Sequence, residues 1–158
     1  MEYEPLLYIT HNMREKDRRE ILSTLYEMTR AEATELITQM TLDASTKSGI
    51  GWIGYRGGEP IAALGLTMMH PNVAQVWMYA TDRWPLVALS LTKFAKKTII
   101  PLLKDSKTHR AQCFSIEGHE VAHRWLKMLG ATEECVVPNY GGNGEAFHLF
   151  AWSEGRDF

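Results

Sequence analysis

The chain has 158 residues, a formal net charge of −2, 45% hydrophobic and 23% charged residues, and two cysteines. That is the length and composition of one globular domain with a substantial core. It gives no electrostatic case for nucleic acid or an anionic membrane, no apolar run of membrane-spanning length, and no disulfide framework.

The opening run MEYEPLLYIT has acidic flanks and a short apolar stretch, unlike a leader. A reduced, intracellular, single domain spanning residues 1–158 is expected. Leu6 to Thr10 reads as a short strand. Asn12 with Glu15 three residues on matches a capping box, opening a helix carried by Ile21, Leu22, Leu25 and Met28. Its polar run, Arg14 to Glu20, is expected to face water. Thr29 with Glu32 repeats the signal and opens a second helix with the stripe Ala33, Leu36, Ile37 and Met40. Residues 43–49 are a loop by composition.

The middle of the chain is β. Ile50 to Arg56 is a strand, Gly57-Gly58 a hairpin turn, and Pro60 to Met69 a second strand. His70-Pro71-Asn72 turns again, and Val73 to Thr81 is a third strand rich in aromatic and β-branched residues. Thr81 or Asp82 caps a helix with Pro85 in its first turn; Leu86, Leu89, Phe94 and Ile99 are its apolar positions, and Pro101 ends or kinks it. Lysines 93, 96, 97, 104 and 107 form a solvated face.

Residues 111–134 form a strand–turn–helix unit. Ala111 to Ile116 is a strand, with Cys113 and Ser115 on one face and Phe114 and Ile116 on the other. Gly118 breaks it, and Glu120 to Leu129 follows as a helix with Val121, Ala122, Trp125, Leu126 and Leu129 on one stripe. Gly130 stands where a left-handed C-cap is wanted. Cys135 to Asn139 and Ala146 to Trp152 form a last hairpin. The glycine-rich run 141–144 between them joins two strands, so it is a turn and not a phosphate loop. The order is β-α-α-β-β-β-α-β-α-β-β, an α/β protein with a mixed sheet and helices on both faces.

Two chemistries compete for the helix near residue 120. Residues 119–123 spell His-Glu-Val-Ala-His, and on a helix His119 and His123 would hold zinc with Glu120 as general base. No extended zinc-protease motif follows, since Leu126 stands where its glycine would be. A surface role for two helix-edge histidines is favoured, with no metal.

The other chemistry comes from a resemblance. The run His119-x-x-Ala122-x-x-Trp125-Leu126-x-x-x-Gly130-Ala131 is similar to the Asn-x-x-Ala-x-x-Phe-Tyr-x-x-x-Gly-Phe helix of GNAT-type N-acetyltransferases, and the predicted element order resembles that fold over essentially the whole chain. Within the superfamily the chain looks most like small GNAT-like proteins encoded by podophages, some labelled internal virion protein. Residues 13–21 (MREKDRREI) and 123–131 (HRWLKMLGA) carry that likeness.

The resemblance implies acetyl-CoA as cofactor and an amine as acceptor. Backbone atoms of Met78, Tyr79 and Ala80 would hold the pantetheine, Arg83 and Trp84 would lie by the phosphates, and His119 or Tyr79 would handle protons. The expected phosphate turn, Gln/Arg-x-x-Gly-x-Gly/Ala, reads here Arg83-Trp84-Pro85-Leu86-Val87-Ala88. Leu86 replaces a glycine, Pro85 removes a donor, and Asp82 adds a like charge. Leu126 stands where the family often has a Tyr acid. A second reading is therefore a GNAT scaffold without catalysis, serving phage morphogenesis or binding a host or phage protein. The host-cell cytoplasm is the expected location, with virion association open; neither nucleic acid nor membrane is expected as a partner.

Overall fold

In the computed structural model, which describes all 158 residues, the central meander forms as its turns dictate. Gly57 and Gly58 take φ of +58° and +82°, the primed-turn geometry that matches strand twist. They pair β1 (Gly49–Arg56) with β2 (Glu59–His70). Asn72, with φ of +66°, turns the chain into β3 (Val73–Ala80). The sheet is completed by β4 (Arg110–Ile116), β5 (Thr132–Val137) and β6 (Phe147–Ser153), in the order β1-β2-β3-β4-β6-β5.

One junction differs from the rest. β3 and β4 are parallel, and they pair only from Val73–Gln75 to Arg110–Gln112. Beyond those residues the strands part and leave a splay in the middle of the sheet.

Helices cover both faces, as expected. Alternation along β2 sends Ala62, Leu64 and Leu66 into the larger core and Ala63 into the smaller one. The smaller core also holds Leu6, Ile9, Met13 and Ile37 from α1 (Tyr3–His11) and α3 (Arg30–Lys47) with their flanks, packed on Tyr79. The larger core lies under α4 (Ala88–Phe94), α5 (Ile100–Asp105) and α6 (Glu120–Met128), with Trp84, Leu91, Leu103, Trp125 and Leu129 inside. Between α1 and α3 runs α2 (Glu15–Leu22), a polar helix.

Several local expectations change. Residues 6–10 are helical, not a strand, so the order opens α-α-α. Leu6 and Ile9 are fully buried at helical spacing, and the Thr10 hydroxyl donates back to the Leu6 carbonyl at 2.9 Å; a five-residue apolar run cannot by itself separate the two periods. Asn12 is not an N-cap: it ends α1, and its side-chain amide donates to the Tyr8 carbonyl at 2.9 Å. The Thr29–Glu32 box does form, with bonds of 3.2 Å and 2.8 Å in the two directions. α3 continues through 43–47, where Asp43 pairs with Lys47 at 3.0 Å one turn on and the Thr46 hydroxyl bonds back to Leu42.

After β3 the chain first makes a 3₁₀ turn, Trp84–Leu86. This rotates the helix so that Val87 and Leu91 are buried while Leu86 and Leu89 are exposed. Pro101 is accommodated: a π turn over Ala95–Ile99 precedes it, and Pro101 enters in the first turn of α5. On α6 Trp125, Leu126 and Leu129 are buried as the stripe predicts, but Val121 is exposed and His123 is buried. Gly130, with φ of +90°, closes α6 by a Schellman motif, Ala131 N–H to Leu126 at 3.1 Å and Gly130 N–H to Lys127 at 3.0 Å.

Candidate active site in the splay

The splay leaves a cleft of about 330 Å³. Its walls are mostly apolar, from α3 (Ile37, Met40), β3 (Trp77, Met78) and α6 (Trp125, Leu126). The polar groups come from α2 and from the ends of the parted strands. A two-residue period fixes which backbone atoms face this space. Thr81 N–H bonds to Ile61 of β2 at 2.8 Å, whereas Ala80 presents its carbonyl to Arg14 N–H at 2.9 Å on the opposite edge. Met78, two residues earlier, therefore turns its N–H and C=O toward the splay as well.

α2 crosses the open end of the splay and satisfies the separated strands with two carboxylates. Asp17, buried, accepts from the Ala80 N–H at 2.8 Å and Arg14 Nε at 2.7 Å through Oδ2, and its Oδ1 lies 2.7 Å from His119 Nε2. Glu20 accepts from the Ser115 hydroxyl at 2.7 Å and the Ile116 N–H at 2.8 Å, both through Oε2. Its Oε1 has no protein partner and is not sealed from solvent. Burial raises the Glu20 carboxyl above the usual range, against the lowering effect of those two donors. Lys16 fastens α2 to the β4–α6 turn through the Gly118 carbonyl, 3.0 Å away.

The predicted residues divide sharply. His119 lines the cleft and is 2% exposed; with Nε2 on Asp17, its Nδ1 is buried without a partner. Tyr79 lines the cleft too, but its hydroxyl donates to Thr41 at 3.0 Å with Thr10 Oγ1 3.4 Å away, and burial raises its pKa. It pins α1 and α3 to the sheet. Met78 faces the cleft, while both backbone groups of Ala80 are taken by α2. Trp84 is buried, edge-on to Trp125 at 5.2 Å and beneath the Arg14 guanidinium. Arg83 is exposed, pairs with Glu59, and does not line the cleft.

Four donors of the expected phosphate turn are spent internally. Trp84, Leu86 and Val87 N–H bond to Thr81, Arg83 and Trp84 carbonyls, each at 3.0 Å, and Arg83 N–H reaches the Thr81 hydroxyl at 3.3 Å. Nor do the HExxH residues converge. His119 precedes the helix and points to Asp17, His123 packs on His148 and Phe150, and Glu120 is exposed. No group of three or more His, Cys, Asp and Glu side chains has metal-site geometry.

Asp17, Glu20 and Arg14 were expected to face water. Asp17 is buried and all three line the cleft. The signal available was the composition of α2 itself: EKDRREIL in eight residues can dock on a sheet only by burying polar side chains with partners. Cys113 also lines the cleft, and burial pushes its thiol up, away from reactivity.

No family model and no curated relative matches the sequence. Solved structures do match. The ribosomal-protein-S5-alanine acetyltransferase from Vibrio fischeri superimposes with a TM-score of 0.67 at 12% identity, over 100% of this chain and 92% of that one. The ribosomal-protein-S18-alanine N-acetyltransferase from Escherichia coli gives 0.66 at 10% identity, over 96% and 86%. At such identities the likeness shows the fold, and that fold is the GNAT one.

Proposed function

We propose that the chain is an N-acyltransferase that moves an acetyl group from a pantetheine thioester of the acetyl-CoA type onto an amine. The observation that carries this reading is the splay: free backbone groups of Met78 face a cleft that also holds an open carboxylate. The two ends of acetyl-CoA fit differently. The arm suits the Met78 edge, as an added strand does. The nucleotide end meets fewer donors at the β3–α4 turn, where the Arg83, Trp84, Leu86 and Val87 amides bond within the turn and Arg83 is paired.

The thioester, when bound, supplies an activated acyl carbon. The chain's own part is to hold the amine and take its proton. Glu20 is the group open to the cleft for that purpose, its carboxyl raised by burial toward the working range of a general base. His119 and Asp17 lie within its electrostatic reach. The Asp17 contact fixes the Nε2–H tautomer of His119 and leaves the lone pair on Nδ1, so His119 is proposed as the second proton carrier.

The test is thiol release from acetyl-CoA and from S-acetylpantetheine in the presence of primary amines. Both donors are expected to serve within about threefold of each other, since little affinity comes from the nucleotide. Absence of amine-dependent release from either donor overturns the reading.

One observation favours a second reading. With the turn closed on itself and Ala80 occupied by α2, the cofactor groove is partly filled by the protein's own side chains. A non-catalytic scaffold for phage morphogenesis or host interaction would look like this. Residues 13–21 and 123–131, which carry the podophage likeness, supply Asp17, Glu20 and Trp125 to the cleft. Capture of a defined phage or host protein by a chain that releases no thiol would establish it; location in the virion or the host cytoplasm follows that outcome.

A further inference from the structure

We infer that the amine accepted by this cleft is a monoamine on an apolar body, its ammonium held by Glu20 Oε1. The inference rests on the acyltransferase reading for its chemistry and on the charge inventory of the cleft for its specificity.

That inventory is short. The carboxylates lining the cleft are Asp17 and Glu20. Both oxygens of Asp17 are engaged, by His119, Arg14 and the Ala80 N–H. Glu20 spends Oε2 on Ser115 and Ile116 and leaves Oε1 open. One anionic oxygen is thus available. A half-buried carboxylate with an open oxygen in a mostly apolar cavity is stabilised by a cation with N–H donors.

The same inventory excludes other amines. A polyamine brings a second ammonium, and no second carboxylate oxygen is free to meet it. An amino acid brings a carboxylate, and the one Arg or Lys lining the cleft, Arg14, has its charge already balanced by Asp17 through Nε and lies over Trp84. Burying such a charge without a partner is costly. The remaining surface is mostly apolar, with Ile37, Met40, Trp77, Phe114, Trp125 and Leu126, and the volume of about 330 Å³ is in the range of small-molecule pockets. The buried, unpartnered Nδ1 of His119 at this cleft is a second polar atom awaiting a donor.

The experiment is calorimetric titration of the full chain, without acyl donor, with 2-phenylethylamine, 2-phenylethanol, phenylalanine and spermidine. 2-Phenylethylamine should bind about tenfold tighter than each of the other three. Glu20→Gln should abolish its preference over 2-phenylethanol, and Glu20→Asp should retain part of it. Equal binding of amine and alcohol, equal or tighter binding of spermidine or phenylalanine, or no saturable amine binding overturns the inference. The comparison within the wild-type protein holds even if Glu20→Gln fails to fold. Parallel titration with S-acetylpantetheine separates the two ideas. Amine without thioester binding sinks the acyltransferase reading alone; thioester without amine binding sinks this inference alone.

Discussion

At the α2 end of the splay, three donors converge on Asp17 and two on Glu20, and one oxygen of the cleft-lining Glu20 is left without a protein partner. At the β3–α4 turn, where the fold's enzymes are expected to meet phosphate, four amides close on Thr81, Arg83 and Trp84, and Arg83 is drawn to Glu59. Both regions border the same two strands. One has kept polar groups available and desolvated, where they act strongly; the other has satisfied its groups locally or left them in water. The difference teaches that a shared fold does not fix where a chain keeps its usable polarity. Here the polarity that lines the cleft lies on α2.

The largest expected effect breaks the first region and spares the second. Asp17→Ala strands the buried His119, the Arg14 guanidinium and the Ala80 N–H together. A loss of about 3–5 kcal/mol is expected, as for other buried pairs broken from one side. Arg83→Ala removes an exposed pair and should cost under about 1 kcal/mol. Urea denaturation of the two variants measures both. Comparable losses would show that the α2 network is no more stabilising than a surface contact.

This contrast also marks what was legible in the sequence. The meander, the 111–134 unit, the Gly130 stop and the Thr29 cap all rest on signals within a few residues, and the chain reads them directly. The site does not. Asp17 meets Ala80 across 63 positions and His119 across 102, and hydrophobic periodicity, which records apolar side chains only, makes a helix of Glu, Lys, Asp and Arg look solvated. His119 was visible because it fell in a motif. Its partner was not, because the periodicity that assigns α2 counts only apolar residues and passes over Asp17. The Asn12–Glu15 pattern failed for a related reason: the same four-residue spacing can close the helix before it as well as open the one after, and tertiary contacts decided.

A smaller effect sharpens the account of the turn. If consumed amides, and not the Leu86 side chain, keep phosphate away, then Leu86→Gly should leave acetyl-CoA affinity within about twofold. It should cost about 1 kcal/mol of stability through backbone freedom. Isothermal titration of the variant decides. A tenfold gain in affinity would mean that the missing glycine alone disabled the site.

The smallest effect concerns two carboxylates of opposite sign. Burial raises Glu20, so the native state keeps a proton that the unfolded chain has lost, and its contribution to stability falls as pH rises through that window. Glu133 is the reverse. Lys127 at 2.6 Å and His148 at 2.6 Å hold it at about 2, below its ordinary 4.5. Its stabilisation is complete above about 4.5 and is lost as pH falls toward 2. Solvent screening of this surface group keeps the term under about 1 kcal/mol. Melting temperatures of the wild type and Glu133→Gln should therefore separate at neutral pH and converge on acidification across that window, whereas Glu20→Gln should gain on the wild type as pH rises. If both variants shifted in the same direction with pH, the contrast between a desolvated carboxylate at the splay and a paired one at the surface would fail.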